Sequence, residues 1–407
     1  MAIKPGSFMN HKAYLQKLRD NNNPGELPFS IEEYQKRIKD VKCAMKQAQL
    51  DVLLISEPAN LYYLTGFSTF AVYEACTLIL PLQGSPALHV YPTEIPAAWA
   101  TWVDDIYPFD WSEMDSLSSQ LAVILKEREL EGKKVGMELT RGGFIPKTFE
   151  QLKKLLPHNT FCDVSELVLK IRLIKSPQEI EYMRRSGQIT AKGVNASLAA
   201  IREGLTDTDV AKAGHDAMLG AGSDFFCMDP IVNSGHRSSW HHATHCRVML
   251  QHGDNVYMEY GGCYQRYTSP MMRTGIIGRP SKQVLRITEA VKNTLNLVIQ
   301  GAKPGRTCHD VAMEVKPSYQ ELMSEMWFMG VCGYSVGAGF PPTWADDITV
   351  IAEGVEEVLQ PGMTFHLPIM FRVPGEFGVG LSETIAITEQ GCEILTEPDR
   401  DLYLVDI

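Results

Sequence analysis

A single carboxylate stands deep in an apolar run at residues 256 to 275, VYMEYGGCYQRYTSPMMRTG. Burying an acid in such a segment costs free energy unless the charge is used or paired, so Glu259 reads as a nucleophile, a base or the partner of a bound cation. Pairing with Arg266 or Arg273 would instead make it a structural acid. Upstream, SGHRSSWHHATHCRV (234–248) is a histidine-rich stretch, and an imidazole with an ordinary pKa of about 6.5 suits acid–base work near neutral pH. His241, His242 and His245 are also zinc-ligand types. Pro230 and NSG before them favour a loop running into a strand, however, over a helix that would gather them. Further on, GYSVGAGFPPTW (333–344) places Tyr334, Phe340 and Trp344 in what reads as a Gly/Pro-rich loop. Aromatic faces there would wall a pocket for a flat cation, each attracting it by about 0.5–2 kcal/mol. Asp346 or Asp347 is placed to pair with a cationic group. Arg273 and Arg372 are candidate carboxylate clamps, since guanidinium forks onto carboxylate.

These groups need elements to hold them. The residues around Glu259 predict two strands joined by a bend at Gly261-Gly262. Ser30 and Glu33 predict a capping box ahead of a helix from IEEYQKRIKDVKCAMKQAQL. DVLLI, TLILPL, PALHVYP and KKVGMEL read as strands, and QLAVILKERELEG and FIPKTFEQLKKLL as helices, which makes the first part an α/β domain. Ser176-Pro177-Gln178-Glu179 opens a long helix with Ser as N-cap and Pro at its first position. The long helices and antiparallel strands that follow suggest an α+β layout. The expected organisation is an arm over residues 1–29, an α/β domain over 30–168 and an α+β domain over 169–407.

At 407 residues, two cores are expected. Hydrophobic residues at 44% and charged residues at 21% are the composition of a globular enzyme. The net charge of −11 argues against nucleic acid or an anionic membrane as partner and is compatible with a cationic or zwitterionic small molecule. No secretory signal is expected from the opening residues. The nine cysteines include no CxxC pair, which suits reduced thiols and a cytoplasmic location.

NLYYLTGF (60–67), LIKSPQEIEYMRRSG (173–187), LQHGDNVYMEYGG (250–262), RTGIIG (273–278) and LQPGMTFHL (359–367) follow the order and spacing of the creatinase/aminopeptidase P/methionine aminopeptidase superfamily. The resemblance, which starts near residue 30, implies a creatinase-like N-terminal α/β domain and an α+β pita-bread catalytic domain. Metallopeptidases of that superfamily hold two metal ions with two Asp, one His and two Glu. The matching positions here are Glu259, Pro270, Ser335, Pro368 and Ser382. With one donor surviving, the resemblance implies a metal-free branch with no cofactor, since a cation needs several ligands held together.

EYGGCYQRY, GYSVGAGFPPTW and GMTFHL are similar to stretches of the ectoine hydrolases, with creatinase the next match. The residues after Trp344 and in PIMFRVPGEFGVGLSET depart from that pattern. The resemblance places the general acid/base on His242 and an acid on Glu383. It implies that Glu259 attacks the electron-poor carbon of a cyclic amidine, or pairs the cation while His242 activates water. Strand alternation turns Glu383 away from the cavity if Ser382 faces it, so the two readings of Glu383 oppose each other. Homodimers of the superfamily suggest that Phe67, Phe70 or Tyr73 reaches a neighbouring subunit's site. The expected function is hydrolysis of a C–N bond in a zwitterionic metabolite, ectoine-type ring opening first. The alternatives are creatine-type amidinohydrolysis, a lyase, or a non-catalytic binding module of the kind found in a histone chaperone.

Overall fold

The computed structural model describes residues 10–21, 27–74, 76–109, 117–140, 142–396 and 399–405. The chain divides into two units, Met1–Arg172 and Leu173–Ile407. The boundary expected after residue 168 therefore lies slightly later, because Glu166–Arg172 is one continuous helix of the first unit. The arm expected over 1–29 lies partly outside the described residues. Within it, His11–Arg19 is helical and buries Leu15.

The first unit is built on a mixed six-stranded sheet, ordered Asp105–Pro108, Ala87–Val90, Thr77–Pro81, Val52–Ile55, Lys134–Met137, Thr160–Asp163. Val52–Ile55 is buried at every position, antiparallel to one neighbour and parallel to the other. Its continuous apolar run is that of a strand covered on both faces. Ser30 caps the helix Ile31–Gln47 by accepting from the Glu33 N–H, but the Glu33 carboxylate pairs with Arg37 at 3.2 Å, so half of the expected capping box forms. Phe67 is 2% exposed and packs in this unit's own core. It has no surface to offer a substrate, which corrects its expected role; Phe70 and Tyr73 are the exposed aromatics of that segment.

In the second unit, Ser176 and Glu179 form the complete capping box that starts the helix Pro177–Ala200. This helix and Asp207–Gly220 pack against Val256, Met258 and Tyr260 of the strand Asn255–Tyr260. Because side chains alternate along a strand, Tyr257 and Glu259 are left for the other face. The strand lies between Met271–Ile277 and Ile231–Ser234 in a four-stranded sheet. A seven-stranded sheet includes Gly333–Phe340, Thr343–Ile351 and Thr364–His366. The helix Lys282–Gly301 packs in a core with Phe365, Phe371 and Ile385. Among the described residues, no helix is long and apolar enough to cross a membrane.

Two local expectations change. The tight bend after Glu259 is at Gln265-Arg266, where both residues have positive φ between paired Tyr264 and Tyr267. That is the backbone of a two-residue hairpin loop, a place where glycine is usual. Arg266 tolerates it while lying over the Phe225 ring at 3.6 Å and donating to the Gly339 carbonyl at 2.8 Å. Gly261 and Gly262 are needed for close packing instead: a Cβ there would meet Trp344 at 2.8 Å and Ile189 at 2.6 Å. The aromatic segment 333–344 is a strand pair, Gly333–Phe340 with Thr343–Ile351, so strand alternation governs where its side chains point.

Candidate active site

A cavity of about 330 Å³ lies over the face of Asn255–Tyr260 that the helices leave free. Ile231, Glu259 and Met272 are register partners on three adjacent strands, and together they make its floor. Tyr257, two positions before Glu259, donates its hydroxyl to Glu259 Oε2 at 2.8 Å. The carboxylate is 5% exposed. Burial pushes its pKa up to about 7, against the lowering influence of the Tyr257 hydrogen bond and the Arg372 charge. It is thus an acid poised to ionise near neutrality.

His241, His242 and Arg372 lie on one side of the cavity. Arg372 Nη2 donates to His241 Nδ1 at 2.6 Å, which leaves that imidazole neutral with its proton on Nε2. Burial, then the Arg372 charge, then His242 lower the pKa of His241 to about 4. Burial and the Arg372 charge also lower that of His242. The His241 and His242 rings are 4.1 Å apart. Trp344, Tyr334 and Asp347 line other parts of the cavity, and Trp344 Nε1 donates to the Tyr334 hydroxyl at 2.8 Å.

Of the residues singled out from sequence, Glu259, His242, Tyr334, Trp344, Arg372 and Asp347 line this one cavity. Four others do not. Arg273 is the register partner of Met258, one position out of phase with Glu259, so it faces the other way and pairs with Glu383 at 2.8 Å. Glu383 is fully buried between Arg273 and Arg400, at 2.8 and 3.0 Å, while Ser382 beside it turns towards His366. Ser382 and Glu383 lie between the strands Phe377–Leu381 and Thr384–Ile387, where alternation decides nothing; the two ion pairs hold Glu383 away from the cavity, against its expected catalytic role. Asp346 forms a buried ion pair with Lys175 at 2.9 Å, whereas its neighbours Ala345 and Asp347 line the cavity. Phe340 packs against Arg266 and Phe225, beyond irregularities in the strand pairing after Tyr334.

Tyr257 and Met228 also line the cavity without having been singled out, as does His241, which was named only as a zinc-ligand type. Tyr257 was findable, since it shares a strand face with Glu259. His366 carried no local signal. It is buried beside Tyr334 through cross-strand pairing.

Comparison with known proteins fits this architecture. Residues 181–389 match metallopeptidase family M24, and residues 37–174 match the creatinase/prolidase N-terminal domain. The chain belongs to this family of hydrolases, with the creatinase N-terminal domain followed by a pita-bread catalytic domain. It is 31% identical over 399 residues to the ectoine hydrolase of Halomonas elongata, a match covering 93% of this chain and 98% of that one. It is 28% identical over 378 residues to the Xaa-Pro dipeptidase of Pyrococcus horikoshii, covering 90% and 98%. The fold superposes on the prolidase of Thermococcus sibiricus with a TM-score of 0.83 at 23% identity, covering 93% and 100%.

The metal ions implied by the family's name do not suit these residues. Among the described residues, no group of three or more His, Cys, Asp or Glu side chains is gathered as a metal site. Ser335 Oγ is occupied by the backbone N–H groups of Ile348 and Thr349, at 3.1 and 3.3 Å. Ser382 Oγ accepts from the Met272 N–H at 2.7 Å. Pro368 lines the cavity and offers no side-chain donor atom.

Proposed function

We propose that this cavity hydrolyses a C–N bond of a small zwitterion, opening an ectoine-type cyclic amidine without a metal ion. The observation that carries this reading is Glu259, a buried carboxylate on an apolar floor, facing a cavity that also presents Trp344 and Arg372. An amidinium entering the cavity would stabilise the ionised carboxylate, and the aromatic wall favours a flat cation. Arg372 is the cation available for a substrate carboxylate. The relationship to an ectoine hydrolase supports the same substrate class.

In the proposed reaction a Glu259 oxygen bonds to the carbon between the two ring nitrogens, and the π electrons of the C–N bond move to nitrogen. Neutral His242 takes a proton from water. The resulting hydroxide equivalent bonds to the same carbon and displaces Glu259. The proton passes from His242 to the departing nitrogen as its bond to carbon breaks, and the added hydroxyl gives its own proton to the released Glu259 carboxylate as the C=O forms, leaving an amide and a free amine. One amidine and one water are consumed for each ring opened.

The test is incubation of purified protein with ectoine, hydroxyectoine, creatine and an Xaa-Pro dipeptide, with products read by mass spectrometry. Ring opening of ectoine or hydroxyectoine is expected. Turnover of creatine alone would move the activity to amidinohydrolysis, and cleavage of the dipeptide alone would return it to the peptidases. A product formed by elimination without uptake of water would make it a lyase.

A further inference from the structure

His366 does not line the cavity, yet it is enclosed by hydrogen-bonding groups. It is fully buried, with Nδ1 2.7 Å from the Tyr334 hydroxyl and Nε2 2.6 Å from Ser382 Oγ. Glu259 Oε1 is 3.9 Å from Nδ1, beyond hydrogen-bond range. The two ends of this chain have donor-only neighbours: the Met272 N–H points at Ser382 Oγ, and the Trp344 N–H at the Tyr334 hydroxyl. Burial lowers the pKa of His366 to about 3, so the ring carries one proton.

The position of that proton follows from hydrogen-bond accounting. With the proton on Nε2, Ser382 would accept from both Met272 and His366, and its own buried hydroxyl proton would have no acceptor among the contacts shown. A buried unsatisfied hydroxyl costs about 1–3 kcal/mol. With the proton on Nδ1, Ser382 donates to Nε2 and is satisfied. Tyr334 then accepts from both Trp344 and His366, and its remaining O–H is the only one left over. Tyr334 lines the cavity, where a bound molecule can accept that proton's hydrogen bond.

We propose that Ser382 and His366 form a one-directional relay that aims the Tyr334 O–H into the cavity, where it donates a hydrogen bond to the substrate atom that gains electron density as the C–N bond breaks. This rests on the cavity being the hydrolytic site proposed above. His366 is a positioning residue, and Tyr334 is the group that touches substrate. Accepting two hydrogen bonds polarises the phenol and strengthens it as a donor. Its proton is retained, because burial and then the Glu259 charge hold its pKa well above the usual tyrosine value.

Two measurements test the relay. Two-bond proton–nitrogen correlation spectra of the resting protein read the His366 tautomer, with the signal assigned by its loss in His366→Asn. The proton is expected on Nδ1; a proton on Nε2, or a charged ring, overturns the proposal whatever the enzyme's substrate proves to be. The second measurement uses the substrate that the wild-type protein turns over. Tyr334→Phe and His366→Phe should each lower kcat by roughly 10²-fold with little change in KM, and the double variant should lose no more than either single one. His366→Asn, which keeps an N–H near the Nδ1 position, should recover much of the loss. Multiplying losses in the double variant, or an Asn variant as poor as Phe while folded, would overturn it. Failure of the wild-type protein to hydrolyse any amidine would instead count against the proposed reaction and leave the tautomer result to decide the relay.

Discussion

Tyr257 and Glu259 occupy alternate positions on one strand, and the phenol donates to the carboxylate at 2.8 Å on the face that floors the cavity. The bond fixes one carboxylate oxygen and leaves the other free to meet substrate. It also eases the burial of the charged form without abolishing its cost, since the pKa remains near 7. Glu259→Gln keeps the shape and a hydrogen-bond acceptor but removes the proposed nucleophile. We expect kcat to fall by roughly 10³-fold or more while substrate binding, measured by calorimetry, persists. Unchanged kcat would remove Glu259 from the chemistry.

The raised pKa has a definite sign. The folded protein holds the Glu259 proton more tightly than the unfolded chain, whose carboxyl titrates near 4.5. This contribution to stability is present at low pH and is lost as pH rises from about 4.5 through about 7. The thermal midpoint of Glu259→Gln relative to wild type should therefore increase between pH 5 and pH 8. The activity limb runs the other way, because the ionised form is the proposed nucleophile: kcat/KM should rise through about pH 7. The corresponding limb of kcat should lie lower, because a bound cation stabilises the carboxylate. A kcat/KM that falls over the same interval would contradict this.

Glu383 and its two arginines are a structural ion network. Removing the carboxylate in Glu383→Ala leaves Arg273 buried beside an uncompensated site. The expected cost is about 3–5 kcal/mol of unfolding free energy by denaturant titration, with kcat per folded molecule nearly unchanged. Normal stability with lost turnover would restore Glu383 to the active site.

How much of this was legible beforehand depended on whether a feature is local. Ser176 and Glu179 announce a helix start within four residues, and that start forms in full. Glu259 stood out because a charge in an apolar run has an identifiable cost. Trp344 and Tyr334 were readable as pocket residues, but their glycine-rich surroundings suggested a loop where strands form. Asp346 and Asp347 could not be separated, since one step of strand phase decides between them, nor could Arg273 and Arg372, which lie on the separate strands Met271–Ile277 and Ile369–Val373. His366 was invisible: its role depends on cross-strand pairing with Tyr334 and on Ser382, which lies sixteen residues away. Glu383 lies between two strands, where alternation has no hold, and its place is set by Arg273, 110 residues away in sequence.

Arg372 donates to His241 and lies near enough to Glu259 for its charge to lower that pKa. As the cation available for a substrate carboxylate, it should affect binding more than chemistry. Arg372→Lys loses the planar fork, and KM for a carboxylate-bearing amidine should rise about tenfold, equivalent to about 1.4 kcal/mol. KM for an analogue lacking the carboxylate should hardly change. Equal effects on both compounds would show that Arg372 supports the pocket and does not clamp substrate.

In the proposed reaction, side chains alone break the carbon–nitrogen bond. The most direct test is ectoine turnover by protein dialysed against a strong chelator, with bound metal quantified in the same sample by elemental mass spectrometry. Full turnover is expected at metal contents far below one ion per chain. Turnover that disappears with the metal and returns in proportion to added divalent ion would contradict it.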